Sequence, residues 1–150
     1  MSDLILTCPQ CGTKNKVAGT KQHLGPKCSK CKTKFDMRQL AVPVVLDDRT
    51  MDEFIHSTGL PVLVDFFSPS CGPCATLAPV LSQVTKTFAG RVIVAKVDTS
   101  CNPGCSARYR IQGVPTLIFF KSGKVVDQIV GLPQRQQLVN KLEYWSAPNS

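Results

Sequence analysis

Two cysteines flank a glycine and a proline in Cys71-Gly72-Pro73-Cys74, directly after the apolar run Val62-Leu63-Val64-Asp65-Phe66-Phe67. No other feature constrains the chain as much, because strand, dithiol and helix follow one another in that order. From Ala75 to Phe88 the apolar residues Leu77, Ala78, Leu81, Val84 and Phe88 fall close to helical spacing. The spacing predicts a helix whose first turn carries both cysteines. Unpaired backbone N–H groups there point outward and stabilise an anion. A free cysteine has a pKa of about 8.5, and a helix N-terminus is one of the settings that lower it. Cys71, nearer the end, is expected to attack as a thiolate, and Cys74 to resolve the mixed disulfide. Pro73 lacks a donor that the first turn does not need and presets the backbone for a helix.

The same pair read as half of a zinc site would need a second pair in this part of the chain. Cys101 and Cys105 are the only one, and their spacing is wrong for a zinc knuckle. The first forty residues differ. Cys8-Pro9-Gln10-Cys11 and Cys28-Ser29-Lys30-Cys31, sixteen residues apart, have the ligand spacing of a structural zinc ribbon. Each pair is followed by a Thr-Lys step, Thr13-Lys14 and Thr33-Lys34, so the segment reads as two hairpin tips facing one metal. Gly12 suits the left-handed turn after the first knuckle. Four sulfur ligands close a tetrahedron and leave no open position, so one structural zinc is expected on Cys8, Cys11, Cys28 and Cys31. A segment this short cannot bury enough apolar surface alone, and metal binding supplies the missing folding energy. His23, between the knuckles, is expected to be solvent-exposed.

Eight cysteines can also mean a secreted disulfide scaffold. Six of these eight, however, fall in Cys-x-x-Cys pairs, which in an intracellular chain points to metal or catalysis. The opening residues do not combine a charged start, a long apolar stretch and a cleavage site, so a cytoplasmic protein without a secretory signal is expected. The apolar runs are too short for a bilayer span of about 20 residues. The net charge of +8 is concentrated in residues 1–40, where eight Lys or Arg face two Asp. Those lysines read mainly as a solvated face, with Phe35 the only nearby aromatic for base stacking, so nucleic acid is not the expected partner.

Residues 36–43 read as a linker, giving domains at 1–38 and 39–150. Beyond it, Val44–Leu46 is a short edge strand, and Asp48 or Thr50 is placed to cap a helix over 51–57. After the central strand and the dithiol helix, which Pro79 should kink, come a strand over 91–97 and a short helix ending near Tyr109. A strand over 115–120, a turn at Ser122-Gly123, a partner strand over 125–130 and a helix over 138–145 complete the chain. That alternation predicts an α/β fold, a mixed central sheet with helices on both faces, behind a small zinc ribbon.

Residues 43 to about 146 resemble a thioredoxin. The resemblance rests on Val64-Asp65-Phe66, Cys71-Gly72-Pro73-Cys74, Pro79, Lys96, Gly113-Val114-Pro115-Thr116 and Gly131. With the four-cysteine segment in front, the whole chain is similar to the zinc-containing thioredoxin 2 type within that family. The resemblance implies a thioredoxin fold and a protein-disulfide reductase acting on disulfide-containing proteins. It further implies resetting by an NADPH-dependent thioredoxin reductase, with no bound nicotinamide or flavin. It makes Asp65 a buried carboxyl that handles the proton of Cys74, with Lys96 as partial counter-charge. Desolvation between Val64 and Phe66 would raise the pKa of that carboxyl. It also implies a cis Pro115 beside the dithiol, with Gly72, Pro73, Val114 and Gly131 meeting the substrate backbone.

Two departures stand out. Ser70 and Phe67 occupy places where the family usually has tryptophan, which leaves a smaller, more polar rim. Cys101 and Cys105 lie four apart near a helix start, where a second redox pair or two small buried residues are the alternatives. Other readings are an isomerase or oxidant, a ribbon that senses oxidants by releasing zinc, and a binding module in which the ribbon recruits a protein or nucleic acid.

Overall fold

The computed structural model describes residues 4–8, 10–17, 27–32 and 42–147. His23, Thr33, Lys34, Phe35, the linker before residue 42 and the expected boundary at 38/39 lie outside the described residues. In the N-terminal segment, β1 (Leu4–Thr7) and β2 (Lys14–Val17) form an antiparallel hairpin, with Leu4 opposite Val17.

From Val44 onward strands and helices alternate. They are β3 (Val44–Leu46), α1 (Met51–Ser57), β4 (Val62–Phe67), α2 (Gly72–Thr87), β5 (Ile93–Asp98), α3 (Pro103–Arg108), β6 (Thr116–Lys121), β7 (Lys124–Val130) and α4 (Arg135–Ser146). The five-stranded sheet has the order β3-β5-β4-β6-β7. β3, β5 and β4 are parallel, and β6 and β7 pair antiparallel beyond β4. The mixed sheet follows from the connections. Helices link the parallel strands, whereas β6 and β7 need only the turn at Ser122 and Gly123, both with positive φ.

Alternation along each strand divides the core into two layers. Val62, Val64, Phe66, Ile93, Ala95, Val97, Ile118 and Phe120 pack with Met51 and Ile55 of α1 and Cys105 of α3. Leu63, Val94, Leu117 and Phe119 face the other way, onto Leu77, Leu81 and Val84 of α2 and Leu138 and Leu142 of α4. Burying a side chain such as Leu77 or Leu81 contributes about 1.5–3 kcal/mol, which holds α2 flat on the sheet. By the same alternation Asp65 and Lys96 belong to the α2 face. They are register neighbours across β4 and β5.

Several boundaries differ from the sequence reading. α2 begins at Gly72, at the dithiol as expected except that Cys71 is its N-cap, and it contains Pro79. β5 begins at Ile93 and not Arg91, and α4 at Arg135 and not Leu138. Asp48 does not cap α1. Its carboxylate instead accepts from the Gly104 N–H (3.0 Å) and the Cys105 N–H (2.7 Å) at the start of α3. Those bonds hold its pKa below the usual range, with the Cys105 N–H foremost. The turn before α1 is tied by Asp47, which accepts from the Arg49 and Thr50 backbones and from the Thr50 hydroxyl.

Candidate functional site

The dithiol sits where β4 hands over to α2. Cys71 is the N-cap residue of α2, in extended conformation (φ −91°, ψ 116°), and its sulfur accepts the backbone N–H of Cys74 at 3.1 Å. An N-cap acceptor meets one of the orphan donors of the first helical turn. Here that acceptor is a sulfur, so the helix end is aimed at the atom that would carry negative charge. Cys71 and Cys74 are joined as a disulfide with Cα atoms 5.2 Å apart. Cys71 is half-buried, while Cys74 is 6% exposed beneath it. Cys71 is thus the outer of the two, and it caps the helix instead of lying inside its first turn.

Two other segments close on the pair. The Val114–Pro115 peptide is cis, and the Val114 carbonyl oxygen lies 3.6 Å from Cys71 Sγ. Thr116 Oγ1 donates to the Gly113 carbonyl at 2.7 Å, and Gly131 N–H donates to the Pro115 carbonyl at 2.9 Å, tying this loop to the end of β7. Gly131 has φ +88°, and a Cβ there would meet nothing within 4 Å. Backbone conformation, not crowding, therefore calls for glycine. Gly72 and Pro73 are exposed at the helix end, beside a loop in which the Ser68 and Ser70 hydroxyls lie 3.1 Å apart.

Asp65, mid-strand in β4, is only 1% exposed, and its Oδ1 has no hydrogen-bond partner. Burial lifts its pKa from 3.8 to about 6, and the positive charge of Lys96 pulls in the opposite direction. The Lys96 ammonium stands 4.6 Å over the Phe67 ring, a cation–π contact that keeps the charge on this side of the sheet. Asp65 and Lys96 are therefore cross-strand neighbours on the α2 side of the sheet, and β4 leads on from Asp65 to the dithiol.

Cys101 and Cys105 are not brought together as two buried neighbours. Cys105, in α3, is 5% exposed, and its thiol is pushed up to about 12 by burial first and then by Asp48. Cys101 is exposed and lies before Asn102, the N-cap of α3, so the two do not share a helical face. Neither is in a disulfide. The expectation of a buried pair fails for Cys101, because the chain turns at Asn102 before the helix starts.

The four N-terminal cysteines form a second cluster. Their sulfurs lie within 4.8 Å of one another, with Cys8–Cys31 at 3.5 Å and Cys11–Cys28 at 3.6 Å. Zinc–sulfur bonds of about 2.3 Å in a tetrahedron place sulfurs about 3.8 Å apart, so the donor set and its size fit that ion. The knuckles repeat each other in detail. Gly12 N–H donates to the Cys8 carbonyl and Lys32 N–H to the Cys28 carbonyl, and both donors have positive φ, 75° and 64°. The Cys28 thiol is lowered to about 6, chiefly by the Cys31 N–H and against its burial. Asn15, which the sequence reading passes over, is buried against this cluster. The available signal is the broken symmetry of the repeat, where Asn15 corresponds to Phe35.

Comparison with known proteins adds a family. The Thioredoxin family model matches residues 42–144. A relative from Spinacia oleracea described as thioredoxin M-type, chloroplastic, is 35% identical over 103 residues, covering 69% of this chain. The chain spans 57% of the length of that relative. Thioredoxin C-3 of Corynebacterium nephridii is 33% identical over 140 residues, 93% of this chain and 94% of its own. Among solved structures, a mutant thioredoxin from Halobacterium salinarum NRC-1 superposes with a TM-score of 0.66 at 30% identity. That match covers 72% of this chain and 94% of the other.

Proposed function

The chain belongs to the thioredoxin family, and on that premise we propose that it is a dithiol–disulfide oxidoreductase working as a protein-disulfide reductase. The observation that carries this reading is the placement of Cys71 Sγ. It accepts the Cys74 N–H at the start of α2 and lies 3.6 Å from the carbonyl before a cis proline. The first contact favours a thiolate. The second puts that thiolate beside backbone groups of Val114 to which an extended peptide can pair.

In the reduced protein the Cys71 thiolate attacks one sulfur of a substrate disulfide. A Cys71–substrate disulfide forms, and the other substrate sulfur leaves as a thiolate that takes a proton from solvent. Asp65 then accepts the proton of Cys74. The Cys74 thiolate attacks Cys71 Sγ, the mixed disulfide breaks, and the second substrate sulfur leaves as a thiolate that is protonated by solvent, while Asp65 returns its proton to solvent. Two electrons pass to the substrate and the Cys71–Cys74 disulfide remains. A carboxyl with a pKa near 6 suits this step, since it is mostly ionised at neutral pH yet basic enough to take a proton. Lys96 limits how far burial raises it. Gly72, Pro73, Val114, Pro115 and Gly131 form the surface that receives the substrate backbone, and an NADPH-dependent thioredoxin reductase resets the disulfide.

Residues 1–38 are proposed as a separate metal-binding unit ahead of the 39–150 domain, with Cys8, Cys11, Cys28 and Cys31 holding one zinc. When bound, the ion would supply cross-linking of the two knuckles and no chemistry at the dithiol. On this reading the chain is of the zinc-containing thioredoxin 2 type and works in a reducing, cytoplasmic compartment. Among the described residues no helix is long and apolar enough to cross a membrane.

The test is reduction of insulin disulfides by the full chain with NADPH and a bacterial thioredoxin reductase, with zinc content measured in parallel. The expected outcome is catalytic turnover and one zinc per chain. Absence of turnover would overturn the reductase reading. A metal-free protein with four freely alkylated N-terminal thiols would overturn the metal reading.

A further inference from the structure

Asn15 is a buried polar side chain in the N-terminal segment, at 7% exposure. Its carboxamide uses its full hydrogen-bonding capacity. Nδ2 donates to the Thr13 carbonyl at 3.0 Å and contacts Cys28 Sγ at 3.5 Å. Oδ1 accepts from the Ser29 backbone N–H at 2.8 Å and from the Ser29 hydroxyl at 3.0 Å. A backbone N–H can only donate, so Oδ1 must be the atom facing Ser29, and the amide N–H must then face the sulfur. Thr13 belongs to the first knuckle and Ser29 to the second. One side chain therefore spans both halves of the cluster.

The geometry points to a positioning role, and we propose that Asn15 sets metal retention at the four-cysteine centre by locking the second knuckle onto the first and donating an N–H to Cys28 Sγ. This rests on the reading of Cys8, Cys11, Cys28 and Cys31 as a metal centre. Both effects act on the bound state. An N–H···S bond spreads the charge of a coordinated thiolate, and the Ser29 clamp fixes where that sulfur points. Partners beyond the ligands commonly change metal affinity by about 10–100-fold when removed. The repeat sharpens the assignment. Gly12 and Lys32 each donate back to the first cysteine of their own knuckle, yet in sequence the position equivalent to Asn15 is Phe35. Only one half of the ribbon can supply the carboxamide, so its donor is directed to a single ligand, Cys28.

Two substitutions in the full chain separate clamp from donor. Asn15→Ala removes both. Asn15→Asp keeps an oxygen for Ser29 but replaces the N–H donor by a second oxygen facing the sulfur. The probes are Zn2+ in competition with a chromogenic chelator and Co2+ followed by its thiolate charge-transfer absorption. Both variants are expected to bind Zn2+ about 10–100-fold more weakly than the parent. Their Co2+ band is expected to move to longer wavelength, because a sulfur without its donor gives up charge more readily. Parent-like affinity and spectrum in Asn15→Ala would overturn the proposal, as would their full restoration by Asn15→Asp. A parent chain that takes up neither ion would instead remove the metal reading on which it rests.

Discussion

Replacing Cys71 by serine is expected to lower disulfide reduction by at least about a thousandfold, because a hydroxyl is not ionised at neutral pH and cannot replace a thiolate. Replacing Cys74 by serine should stop turnover by a different route. The Cys71 sulfur would still attack, but the mixed disulfide could not be resolved. Cys74→Ser protein mixed with oxidised substrate should therefore accumulate as a covalent adduct through Cys71, visible on a non-reducing gel and mapped by peptide mass spectrometry. The asymmetry comes from burial. Cys71 is half-buried at the helix end and reachable, whereas Cys74 is 6% exposed and meets only a sulfur already bonded to Cys71. Equal adduct formation by Cys71→Ser and Cys74→Ser would contradict this division of roles.

The second large effect belongs to Asp65. Its folded pKa of about 6, against 3.8 when unperturbed, means the folded protein keeps a proton that the unfolded chain releases over that interval. Stability therefore falls as pH rises from about 4 through about 6, and the loss persists at higher pH. Two units of pKa correspond to about 3 kcal/mol. Asparagine has nearly the same shape and does not ionise. The stability of Asp65→Asn relative to the parent, measured by urea unfolding of the oxidised proteins, should therefore rise by about 2 kcal/mol between pH 4 and pH 7.5. The comparison across pH cancels the constant cost of burying an amide. Function moves the other way. Without a carboxylate to accept the Cys74 proton, release of substrate from the mixed disulfide should slow on the order of a hundredfold. A flat stability difference across this range would show that Asp65 is not desolvated as described.

Much of the fold was legible because alternation and helical spacing report which face of each element is buried. Val62, Val64 and Phe66 alternate with Leu63 and Asp65, and the two core layers follow that pattern. What escaped is what depends on partners distant in sequence. Asp48 looks like a cap for the adjacent α1, yet the donors it meets belong to Gly104 and Cys105, brought near by β3 pairing with β5. Cys101 and Cys105 have helical spacing, but the helix starts only after Asn102, so spacing alone misplaced the first of them. Lys32 holds a left-handed turn that glycine fills in the other knuckle, and composition gives no sign of it. At the dithiol, residue types indicated a helix N-terminus. That Cys71 would itself be the cap, with its sulfur as the acceptor, needed the backbone geometry.

The thiolate at the end of α2 can be measured directly in the reduced, zinc-loaded protein. Iodoacetamide labelling across pH, with each cysteine followed by peptide mass spectrometry, should modify Cys71 first and with a midpoint clearly below the ordinary value of about 8.5. Exposed Cys101, whose pKa is raised by desolvation from neighbouring atoms and by Asp98, should react only at higher pH. If Cys101 or any other thiol were labelled before Cys71 at neutral pH, or if Cys71 titrated at 8.5 or above, the helix end would not be stabilising the nucleophile.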